Sequence, residues 1–73
     1  MSVVLHLLKG DAALATATIA RELQAGDDVI VALLHGTPAP RVPAGVHVHR
    51  VPDDLSWEAL LDKIFTADQV ITW

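Results

Sequence analysis

The chain has 73 residues, 52% of them hydrophobic, no cysteine, and a formal net charge of −4 from 5 basic and 9 acidic side chains. One domain, residues 1–73, is what this length allows; it buries only about 60% of the surface its unfolded chain exposes. With disulfides and thiolate metal sites excluded, oligomerisation is the expected supplement to a small core. The cations Lys9, Arg21, Arg41, Arg50 and Lys63 are scattered, which argues against nucleic acid as a partner because phosphate neutralisation needs clustered charge.

Val3 to Leu8 is an apolar run rich in branched residues, the pattern of a strand buried on both faces of a parallel sheet. It is too short for a membrane span and lacks the basic stretch and small-residue cleavage site of an export signal. No membrane association and a cytoplasmic location are therefore expected. Asp11 is placed to cap a helix over residues 12–25. Ala15, Ile19 and Leu23, with Ala12, Thr16 and Ala20 beside them, form its small-residue stripe. Gly26 is placed to end the helix in a left-handed turn. Val29 to Leu34 is a second apolar strand, completing a βαβ unit.

Residues 36–45 contain three prolines and read as a stiff extended connector. Val46-His47-Val48-His49-Arg50-Val51 then alternates, so its valines are expected on a buried face and its histidines in water, as on an edge strand. Ten extended residues span up to about 33 Å, enough for a return to a parallel strand; an antiparallel hairpin is the alternative. Asp53 or Asp54 is expected to cap a second helix, in which Trp57, Leu60, Leu61, Ile64 and Phe65 share one face. Asp68 to Trp73 reads as a buried final strand. Its terminal Trp suggests a C-terminus built into the core, a cleft or a subunit contact.

The expected fold is thus a small α/β domain, β-α-β-β-α-β, with a four-stranded, mainly parallel sheet in order 3-2-1-4 and one helix on each face. The first and last strands would be neighbours at the sheet's centre. The connections reverse direction between them, and ligands favour such a switch point at the carboxyl ends of the strands. Lys9, Gly10, Asp11, His35 and Trp73 are accordingly the candidate ligand or interface residues. A strand-to-helix turn suits anions, but a single Gly without a phosphate-loop motif reads more simply as a turn with a cap. His47 and His49 have a spacing that two metal ligands could use, yet no third ligand is evident and solvent-facing residues explain them. No metal and no cofactor is expected. His6 reads as a hydrogen-bonded core or cleft histidine, with catalysis through His6 or His35 the minor alternative. No catalytic residue is assigned.

Val4-Leu5-His6-Leu7-Leu8, Arg21-Glu22-Leu23, Ala25-Gly26-Asp27-Asp28, the strand from Val29 to Leu34 followed by Gly36, Val46-x-Val48, Asp54-Leu55 and Trp73 together resemble the DsrE/DsrF/DsrH sulfur-relay family, in its small DsrH/TusB-like branch. The resemblance implies a compact α/β sheet and assembly as a homo-oligomer or with related α/β subunits. Some members carry persulfide on a cysteine, which no position here can do, so the implied role is that of a non-catalytic partner subunit. The connector and Val46-His47-Val48 also resemble the amino-terminal half of a glycosyltransferase-like Rossmann domain, an enzyme the chain is too short to complete. A small-molecule or anion-binding module at the strand ends is the alternative function.

Overall fold

The computed structural model of the protein describes residues 2–10, 13–34 and 36–73. In chain order the elements are β1 (Val3–Leu8), α1 (Ala13–Gln24), β2 (Asp28–Leu33), β3 (His47–Arg50), α2 (Trp57–Thr66) and β4 (Gln69–Thr72). Among the described residues the strands form a four-stranded sheet in the order β3-β2-β1-β4, and every pairing is parallel. His6 lies opposite Val31 of β2 on one side and Ile71 of β4 on the other. The direction of β3, open in the sequence, is parallel to β2.

Side chains alternate across the sheet, and the two faces carry separate cores. Leu8, Val29, Val31 and Leu33 pack with Ala15 and Ile19 of α1 on one face. On the other, Leu5 and Ala32 pack with Val51, Leu55 and Leu60, the last from α2. The small side chains of α1 are what let its axis lie close to the sheet. Its end is a left-handed turn at Gly26 (φ 89°), where Gly26 N–H donates to Leu23 O and Asp27 N–H to Glu22 O, satisfying two orphan carbonyls. The expected cap Asp11 lies outside the described residues.

The proline-rich connector runs along the α1 face, where Val42 and Val46 pack against the same core as Leu23. It replaces a second helix on that face, which explains how β2 and β3 can be parallel without one.

Three local expectations are corrected. The Asp53-Asp54 pair does not cap α2: Ser56 does, its hydroxyl accepting from Ala59 N–H at 3.1 Å. Asp54 instead accepts from Arg50 N–H at 3.1 Å and closes the turn before the helix. Second, the alternation does not sort valines inward and histidines outward along the predicted strand: within β3 Val48 is exposed and His49 half-buried, while Val46 before it and Val51 after it pack against the cores on opposite faces of the sheet. Third, the order 3-2-1-4 holds and makes β4 an edge strand, so it is not central, and its side chains are mostly exposed rather than buried. The last two share a cause. A single helix per face covers the central pair β1 and β2, and the outer strands project beyond it.

Candidate functional site

The carboxyl ends of β1 and β4 lie side by side, with the flanking helices packed on opposite faces, so the expected switch point exists. Lys9 and Gly10 are exposed there, and Gly10 adopts φ 84°, a conformation open to glycine at little cost. Its N–H is aimed at the Thr37 hydroxyl oxygen at 3.4 Å. That hydroxyl in turn donates to Leu8 O at 3.2 Å. Thr37 is buried and ties the ends of β1 and β2 together, so the amide proposed for an anion is already turned towards a protein acceptor. Asp11 and His35 lie outside the described residues.

Trp73 continues the β4 alternation from Gln69 and Ile71, so it falls on the α1 face with His6. Its backbone N–H extends the ladder to Leu7 O at 3.0 Å. Its indole Nε1–H donates to His6 Nδ1 at 2.9 Å, while His6 Nε2 meets Glu22 Oε1 at 2.5 Å. An indole nitrogen can only donate; Nδ1 must therefore be the acceptor, the ring proton sits on Nε2, and Nε2–H donates to the Glu22 carboxylate. The His6 and Trp73 rings are 19° from parallel with centroids 6.1 Å apart. That separation, together with the N–H···N bond, describes two near-coplanar rings meeting edge to edge, not a face-to-face stack. His6 is fully enclosed, and the relay Glu22–His6–Trp73 satisfies both of its nitrogens from α1 and the end of β4. No buried side-chain nitrogen or oxygen among the described residues lacks a partner.

The sequence placed Trp73 beside Lys9 and Gly10 and read His6 as a hydrogen-bonded core or cleft histidine without pairing the two; it set Thr37 at the same edge only as the end of the second strand, and it missed Glu22. Glu22 sits three residues after the buried Ile19, on the shoulder of the apolar stripe. A carboxylate there opposite a polar residue in a buried strand was the available signal.

A second feature lies on α2. Leu60 is buried and Ile64 half-buried, but the amphipathic face is wider than the sheet it covers. Trp57, Leu61 and Phe65 remain 56%, 50% and 77% exposed. At i, i+4 and i+8 they form one ridge along the helix. The right-handed crossover of parallel βαβ units and the 3.6-residue helical period turn that ridge towards the β4 side of the sheet, on the face that also carries the exposed Val70 opposite Leu5.

These features define a small parallel α/β domain with a polar latch at one end of its edge strand and an uncovered apolar ridge beside it. No family model matches the chain, and neither a curated protein nor a solved structure is detectably similar to it. Among the described residues no helix is long and apolar enough to cross a membrane.

Proposed function

We propose that this chain is a non-catalytic, oligomeric assembly subunit of the kind its resemblance to the DsrE/DsrF/DsrH sulfur-relay proteins implies, without the persulfide cysteine. The observation that carries the reading is the exposed ridge Trp57-Leu61-Phe65 on α2, in a domain whose edge strand β4 is itself mostly exposed. A contiguous apolar patch of this kind marks an interaction surface on a small protein. The partner class is an α/β subunit, either a copy of this chain or a relative. A non-catalytic role is supported by the absence of cysteine and by His6, whose two nitrogens are both occupied and shielded from solvent. Light scattering of the 73-residue chain at micromolar concentration, alone and with candidate subunits, tests the proposal. A strict monomer that joins none of them would sink it.

A second reading, a small-molecule or anion-binding module, draws on the switch point and on Lys9 and Trp73 lying at the same end of the sheet. The indole N–H is spent on His6, so Trp73 could offer a ligand its ring face and not its donor. Titration of a Trp57→Phe variant with a phosphate and nucleotide panel checks this reading: Trp73 fluorescence should respond, and a flat response counts against it.

A further inference from the structure

We infer that the partner seated on the α2 ridge is a second copy of this chain, packed about a two-fold axis that passes close to Leu61. The inference rests on the assembly reading above and assigns its partner and contact residues.

The ridge is palindromic in chemistry: aromatic, leucine, aromatic, at a constant spacing of four residues. A two-fold axis makes an interface in which the same patch appears on both sides. Applied at Leu61, it sets leucine against leucine and lets Trp57 of one copy lie beside Phe65 of the other. Ridges built from i±4 rows interlock with a crossing angle of about −50° and an axial separation of about 8–10 Å, and one helix of this chain supplies both halves of that packing. A partner lacking such a row would leave one of the two aromatic ends unmatched.

The size of the ridge fits the apolar centre of such an interface. From their exposed fractions, the three ridge residues present about 400 Å², within the range at which a patch on a monomer is functional. A standard interface takes about 800 Å² from each partner, so the ridge would supply its apolar centre. Glu58 and Asp62, both exposed, and Val70 are available as its rim. Aromatic side chains at the centre of a contact carry most binding energy. Leu14, although 81% exposed, stands on α1 across the sheet from α2 and is not part of this patch.

Charge sets a further discriminating sign. Each copy carries −4, and Glu58 and Asp62 flank the ridge, so two copies repel at long range. Added salt screens that repulsion and should tighten a homodimer, whereas it would loosen a complex with a basic partner.

Sedimentation equilibrium of the 73-residue chain, at low salt and at about 0.3 M, tests the inference. The expected result is a dimer that tightens with salt. Leu61→Asp should sediment as a monomer with an unchanged circular dichroism spectrum, Phe65→Ala should weaken association by about tenfold or more, and Leu14→Asp should leave it intact. Should Leu61→Asp lose its fold, Phe65→Glu, at a more exposed position, provides the same disruption. A dimer that survives Leu61→Asp and Phe65→Glu, or that Leu14→Asp abolishes, overturns the α2 contact while leaving the assembly reading standing. A wild-type chain that is monomeric alone but joins a related subunit overturns the second copy only. One that is monomeric and joins nothing overturns both.

Discussion

At the residue scale the relay through His6 has consequences that differ for each member. Glu22 accepts from the buried Nε2–H of His6, and the charge-assisted bond is among the stronger kinds. Glu22→Ala would strand that donor in the core, at a cost of about 1–3 kcal/mol. Glu22→Gln keeps an acceptor oxygen at the same reach and should recover part of the loss, so urea unfolding of the two variants separates hydrogen bonding from packing. Trp73→Phe keeps a ring but removes the donor, leaving Nδ1 unpaired, and a loss of about 1–3 kcal/mol is again expected. Nitrogen-15 NMR of His6 gives a more direct check. The geometry requires the neutral ring protonated on Nε2; a proton found on Nδ1 would contradict the indole-to-imidazole bond.

At the element scale α2 is specified by its first turn and by one line of contacts. Leu55, just before the Ser56 cap, and Leu60, four residues after it, belong to the same core cluster, a hydrophobic staple that sets the angle at which the chain enters the helix. Ser56→Ala should cost about 1 kcal/mol and Ser56→Asp much less. Asp53→Ala, at an exposed turn, should fall within about 0.5 kcal/mol of wild type. Leu60→Ala should cost about 2–5 kcal/mol through lost burial and a cavity. Chemical denaturation of the four variants ranks them; an Asp53 effect as large as that of Ser56 would return the cap to the position the sequence suggested. That error is instructive. Two aspartates after a proline carry the same local signal as a cap, and only the turn closed by Asp54 on Arg50 decides between them. The continuous runs in β1 and β2, the Ala-rich stripe of α1 and the glycine at its end were legible because each is settled by neighbours in sequence. The exposure of β3 and β4 was not, since alternation or apolarity in a strand says nothing of whether a helix reaches over it. Glu22, and the bonds by which Thr37 joins β1 to β2, were missed for a related reason: each side chain looks solvated until a distant strand is placed against it.

At the scale of the whole molecule, stability and assembly should be linked. The domain has two small cores, each roofed by one helix, and its edge strand β4 buries little of its own surface. Polar bonds hold that strand at both ends: the Asp68 carboxylate accepts from Val3 N–H at 2.7 Å, and the indole of Trp73 reaches His6. Covering the α2 ridge with a second copy would remove from water apolar surface that the monomer leaves wet, and anything that binds the folded state alone stabilises it by mass action. For a two-state transition from folded dimer to unfolded monomers, each tenfold rise in concentration adds about 0.7 kcal/mol per chain. In a domain of this size that corresponds to roughly 3–5 °C in Tm. Thermal unfolding across two decades of concentration should therefore show Tm climbing for the wild-type chain and flat for Leu61→Asp. The Glu22→Ala variant should climb in parallel with wild type from a lower start, because its defect lies on the opposite face of the sheet from the ridge. A wild-type Tm independent of concentration would mean that the folded monomer is stable by itself and that assembly, where it occurs, follows folding without supporting it.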